Sequence, residues 1–106
     1  MIISDYEWNK FTLRNRKDLS VIKTIEHDFG SLRCGICYSK NKVVILGIGW
    51  NLVEYDFEQM KFIKNAKTFA YVYHIEKVND DTFLTCEMYG HIELIKKKDL
   101  TCLSHL

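Results

Sequence analysis

The sequence predicts an all-β fold of antiparallel four-stranded repeats. Three observations carry that prediction. A pattern recurs about every 40 residues, its apolar runs have strand length, and Asn, Asp and Lys cluster in the gaps between runs. The 106 residues allow one small array, not two separate cores. Hydrophobic residues at 47% and charged residues at 27% belong to a chain that packs a core, which excludes a disordered segment.

The elements follow in order from the overlay. Residues 1–8, 43–50 and 83–90 align as one strand and the start of a tight turn. Within the second copy, Val43-Val44-Ile45-Leu46 is apolar at every position, as a strand covered on both faces requires. Residues 9–13, 51–55 and 91–95 form the next strand. In its second copy Val53, Tyr55 and Phe57 alternate with Glu54 and Asp56, which predicts one buried and one polar face. After a polar turn, residues 19–22, 60–63 and 100–103 give a further strand. A fourth strand precedes the second and third copies. Residues 32–38 lead through Ser39-Lys40-Asn41-Lys42, and residues 71–78 lead through Asn79-Asp80-Asp81-Thr82. Gly47, Gly49 and Gly90 mark the tight turn, where close approach or a bulge is needed.

A helix competes for one stretch. Residues 57, 60, 63 and 66 are apolar behind a capping Asp56. Residues 14–22 and 96–103, the matching stretches, lack that period, so the repeat favours strands.

Four strands every 40 residues are the signature of β-propeller blades. The expected organisation is a single partial propeller array over residues 1–106, with units 1–28, 29–68 and 69–106. The first unit lacks its leading strand. Rings close with roughly 4–8 blades, so the chain reads as part of a larger propeller protein, or as one that covers its open faces with further blades or as a homo-oligomer.

At Leu52-Val53-Glu54-Tyr55-Asp56 the chain resembles the WD-repeat family, with Tyr55-Asp56 in the place of Trp-Asp. His27-Asp28 lies about where that family carries Gly-His. The first and third copies have Leu13-Arg14 and Ile95-Lys96 at the Trp-Asp position. The resemblance implies a propeller whose rim of turns and blade-to-blade connections receives protein partners.

Charge and chemistry narrow the function further. Fifteen basic against fourteen acidic side chains leave +1, with no basic patch for nucleic acid. The longest apolar run, residues 43–50, is too short to span a bilayer. Asp5 and Glu7 follow Met1-Ile2-Ile3, which is not the basic start of an export signal. Four cysteines then read as reduced thiols of an intracellular protein, cytoplasmic rather than nuclear. Cys34-Gly35-Ile36-Cys37 has the spacing of a redox dithiol or half a zinc site. On a strand, however, those two side chains point to opposite faces, which favours two small apolar fillers. His27, His74, His91 and His105 lack metal-ligand spacing, Asp80-Asp81 reads as a hairpin turn, and Lys96-Lys97-Lys98 as a solvated one.

The overlay puts Trp8, Trp50 and Gly90 in one column at the turn. Trp8, Trp50 and the adjacent His91 are the candidate binding residues. The competing role for the indoles is to fill space between blades. The expected function is a non-catalytic scaffold for protein partners, without cofactor or metal. A thiol-dependent redox or metal-binding protein using Cys34 and Cys37 is one alternative. A structural fragment without independent function is another.

Overall fold

The computed structural model describes residues 2–38 and 42–106. The strand start predicted at Met1 and the turn predicted at Ser39-Lys40-Asn41 lie outside the described residues. Eleven strands are described. They are β1 (Ile2–Glu7), β2 (Lys10–Arg14), β3 (Val21–Glu26), β4 (Leu32–Tyr38), β5 (Val43–Ile48), β6 (Asn51–Asp56), β7 (Lys61–Lys67), β8 (Val72–Lys77), β9 (Thr82–Glu87), β10 (Ile92–Lys96) and β11 (Thr101–His105). They form a three-stranded sheet β1-β2-β3, a middle sheet β4-β5-β6-β7 and a last sheet β8-β9-β10-β11. Every pairing is antiparallel. The all-β, repeated four-stranded architecture is the predicted one.

The helical alternative for residues 56–69 does not form. Asp56 does accept backbone N–H groups, from Glu58 at 2.8 Å and Gln59 at 3.0 Å, but inside a turn that leads into β7. A cap-like aspartate serves a hairpin equally well, because both motifs present free amides to the same carboxylate.

Two apolar seams hold the three sheets together. Phe11, Leu13 and Ile25 of the first sheet meet Leu32, Val44, Leu46, Ile48, Val53 and Tyr55 of the middle one. The opposite face of the middle sheet supplies Tyr38, Ile45 and Leu52, which meet Val72, Ile75, Phe83, Ile95 and Leu100. Side chains alternate across a strand, so β5 sends Val44, Leu46 and Ile48 one way and Ile45 the other. Its unbroken apolar run is explained by this double burial. Each fully buried aliphatic or aromatic side chain contributes about 1.5–3 kcal/mol, so the seams rather than surface ion pairs join the sheets.

β6 departs from the predicted alternation. Glu54 is buried, because the second face of β6 is covered by the last sheet. Lys64 on β7 stands 3.5 Å from its carboxylate, and the same ammonium donates a hydrogen bond to the Lys98 carbonyl of the last sheet. A charge is tolerated there because a partner entered with it.

The registers also correct the sequence overlay by one residue in two places. Ile45 pairs with Glu54 in the middle sheet, and Leu84 pairs with Leu94 in the last. Leu84 therefore corresponds to Ile45, not to Val44. In the first sheet the bulge falls after Leu13, where the middle sheet has Glu54, so Leu13 corresponds to Glu54 rather than Tyr55. A slip of one residue exchanges the faces. Leu13 consequently packs forward onto the middle sheet.

The outward faces of the two end sheets differ. The first sheet turns Lys10, Arg14, Thr24 and Glu26 outward, with Lys10 and Glu26 paired at 3.7 Å, while Thr12 on the same strand is buried. The last sheet turns out Leu84, Cys86, Ile92 and Leu94, all half-buried.

Candidate functional site

The candidate site is the rim where the tight turns meet the connections between sheets. Backbone bonds build it. Asn9 donates its N–H to the Gly30 carbonyl at 3.1 Å, and its side-chain oxygen accepts the Gly30 N–H at 2.8 Å. Gly49 donates to Ser31 at 3.1 Å and accepts from Val72 at 3.0 Å. Thr68 donates to Trp50 and Met88 to Tyr71, at 2.8 and 2.9 Å. Each turn is thereby locked to a connection. Gly49 has φ 59°, and a Cβ there would lie 2.7 Å from the Phe29 carbonyl oxygen, so only glycine suits the position.

This rim displays aromatics to solvent. Trp8 is 68% exposed, Trp50 53%, Phe69 61% and Tyr89 83%. The sequence left two roles for the indoles, rim contacts or filler between blades; both rings stand largely exposed at the surface. Trp8 lies with its six-membered ring over Gly30, where an added Cβ would be 3.5 Å from the indole. The two indoles do not share one turn position. Trp8 precedes the left-handed residue of its turn, Asn9 (φ 63°), whereas Trp50 follows Gly49. They still emerge at the same rim.

His91 also reaches the rim, but it is engaged. Its ring packs against Phe69 at 4.1 Å between centroids and stacks on His105 at 5.1 Å. The His91 Nδ1 and His105 Nε2 atoms are 3.1 Å apart, so one ring donates and the other accepts. Beneath Phe69 lie two buried carboxylates. Glu87 accepts the Ala70 N–H at 2.8 Å and the Thr85 hydroxyl at 2.6 Å; Glu93 accepts the Phe69 N–H at 3.3 Å. Burial pushes the Glu87 carboxyl above its usual range, and the neighbouring Glu93 adds to the shift. The pair fixes the connection that presents Phe69. Sequence reasoning missed Phe69, Tyr89, Glu87 and Glu93. An aromatic in a connection is the available signal for Phe69, whereas no motif announces two carboxylates that meet only across a sheet.

Cys34 and Cys37 do not converge. Cys34 faces the last sheet, its sulfur 2.7 Å from where a Cβ on Gly47 would sit, while Cys37 is exposed on the other face of β4. Burial pushes the Cys34 thiol up to about 11, opposite to the lowered value of a reactive thiolate. Among the described residues no group of three His, Cys, Asp or Glu side chains is placed to hold a metal. No helix of the described residues is long and apolar enough to cross a membrane.

Comparison with known proteins gives a fold. No protein-family model matches the chain, and no curated protein matches it. Among solved structures it is similar to the β-propeller domain of Cps50 (Swd1) from Myceliophteria thermophila. The TM-score is 0.79 at 11% identity, over 98% of this chain and 34% of that one. It is also similar to the hydrazine synthase of Kuenenia stuttgartiensis, with a TM-score of 0.77 at 10% identity, over 92% of this chain and 29% of that one. The chain thus spans about a third of the length of the solved chains it matches. Three neighbouring sheets with the antiparallel order and two apolar seams described above are a β-propeller-type array.

Proposed function

We propose that the chain is a non-catalytic protein-interaction scaffold, part of a WD-like propeller, with Trp8, Trp50 and His91 in its contact surface. The exposed aromatic row Trp8, Trp50, Phe69 and Tyr89 on one rim carries this reading. Large rings held by a rigid frame are what binding hot spots are made of, and each of these four is more than half exposed. The WD assignment rests on Tyr55-Asp56 and on the likeness to a propeller of 11% identity. His27 and Tyr55 share the first seam, but the bonds they make go elsewhere, to the Phe29 amide and the Met60 sulfur.

A photo-crosslinking residue at Trp50, compared with one at Asp99 on the opposite end, tests the rim in the native cell. Crosslinks to a protein at 50 and not at 99 are expected. Purified with that protein, the double variant Trp8→Ala, Trp50→Ala is expected to lose at least about 2 kcal/mol of binding, near thirtyfold, with its unfolding unchanged. Equal crosslinking from both ends, or undiminished binding, overturns the reading.

A further inference from the structure

We infer, building on the scaffold reading above, that the rim takes a proline-rich partner segment in the polyproline II form, laid across Trp8, Trp50 and Tyr89. Each of these rings belongs to the tight turn of a different sheet, β1–β2, β5–β6 and β9–β10. Backbone bonds set their order in space. The Trp8 turn is bonded through Asn9 to Gly30, and the next residue, Ser31, is bonded to Gly49, which precedes Trp50. Trp50 accepts from Thr68, and Tyr71 of the same connection accepts from Met88, which precedes Tyr89. A Cβ at Gly30 would stand 3.5 Å from the Trp8 ring and 3.9 Å from the Gly49 Cα, so the first indole reaches the turn of the second. Phe69 stands in the connection that joins the second ring to the third.

The spacing of the row selects the ligand's conformation. The seams pack the three sheets face to face, and sheets packed in that way lie roughly 10 Å apart. A polyproline II helix has about three residues per turn and advances about 9 Å per turn, so every third residue meets the next ring. A β-strand covers a similar distance in three residues, but successive side chains there point to opposite faces. An α-helix returns to one face about every 10 Å, in two turns, but its carbonyls are already bonded within the helix. That difference decides between the two helices, because the row offers donors. Among the described residues neither indole N–H nor the Tyr89 hydroxyl has a hydrogen-bond partner. An indole can only donate. Polyproline II makes no internal hydrogen bonds, so its carbonyls are free to accept, and proline brings no N–H that the row would leave unmet. Its rings stack on exposed aromatic faces, and its stiffness means that little freedom is lost on binding.

A fluorescein-labelled peptide of nine prolines is the probe, with fluorescence anisotropy as the readout. Saturable binding to the full chain is expected. The same peptide with its three central prolines replaced by Gly-Ser-Gly loses the fixed spacing and is expected to bind at least about tenfold more weakly. Trp8→Ala, Trp50→Ala is expected to lower the affinity for oligoproline at least about tenfold, with thermal unfolding unchanged. Trp50→Phe and Tyr89→Phe keep a ring and remove the donor, and each is expected to lower it about fivefold. Failure of oligoproline to bind overturns the inference. So does equal binding of the Gly-Ser-Gly peptide, or undiminished binding to the double alanine variant. The photo-crosslink at position 50 separates this outcome from failure of the scaffold reading. A protein crosslinked there, together with no oligoproline binding, overturns this inference alone.

Discussion

Leu19, Met60 and Leu100 share one backbone peculiarity, a left-handed φ of 61°, 55° and 60° at the end of the third-to-fourth strand turn. A bulky L-residue there costs roughly 1–2 kcal/mol. Leu100 recovers it by burial in the second seam, and Met60 by packing against the first; Leu19 is largely exposed. Opposite outcomes are therefore expected from one substitution. Leu19→Gly should raise stability by up to about 1 kcal/mol. Leu100→Gly should lower it by about 2–4 kcal/mol, because the lost side chain outweighs the relieved strain. Urea unfolding of both variants checks the sign, and two changes of the same sign would refute the account.

At the scale of the element, one charge pair, a buried glutamate with a half-buried lysine, sits where β6–β7 meet the last sheet. Glu54 is buried with Lys64 beside it, and Lys64 also reaches the Lys98 carbonyl. Removing one partner leaves the other charge without compensation, which is worse than removing the charge itself. Lys64→Met is expected to cost about 3 kcal/mol, and the double variant Lys64→Met, Glu54→Leu much less. Denaturant midpoints of the single and double variants measure the difference. This element also shows what was legible in the sequence. The unbroken apolar run of β5 and the 40-residue period revealed four-stranded units covered on both faces. Glu54 read as a solvent-side residue, since alternation reports polarity and cannot see a lysine arriving from the next strand. The register of β9 was out of reach for a similar reason. Its turn holds three residues, Met88–Gly90, where the middle sheet needs two, and turn length is invisible until the hydrogen bonds are known. Of the site, Trp8, Trp50 and His91 were legible as turn residues. Phe69 and the carboxylates beneath it depend on contacts between sheets.

Across the whole molecule the two seams respond to protons with opposite sign. His27 lies beside the first seam with its ring among Phe11, Phe29 and Phe62, and its Nδ1 accepts the Phe29 N–H. Burial holds its pKa below 6.5, so its share of stability is present above that value and is lost as pH falls through the lowered one. Glu87 lies in the second seam with its pKa raised from 4.5. Its share is present below 4.5 and is lost as pH rises through the raised value. Asp18 and Asp99, lowered from 3.8 by hydrogen bonds from Ser20 and Thr101, act only at more acid pH. Between pH 4.5 and 6.5 the two slopes oppose each other. Glu87→Gln should expose a stability that climbs with pH across this window, and His27→Gln one that declines. Urea midpoints at intervals through the window give the answer, and parallel curves for the two variants would contradict it.

The locking of each turn to a connection also has a consequence for how the chain acquires its shape. Asn9 meets Gly30, Gly49 meets Ser31 and Val72, and Met88 meets Tyr71, so each of these bonds spans well under one repeat. Even the longer links between sheets, such as Tyr38 to Thr82, reach only to the next unit. Loop-closure entropy is therefore met in small steps, about one repeat at a time. A nascent chain can settle its first seam once β4 to β6 have emerged, and then add the next sheet to a finished template. Folding becomes vectorial, following the direction of synthesis, with each completed unit serving as the nucleus for its successor.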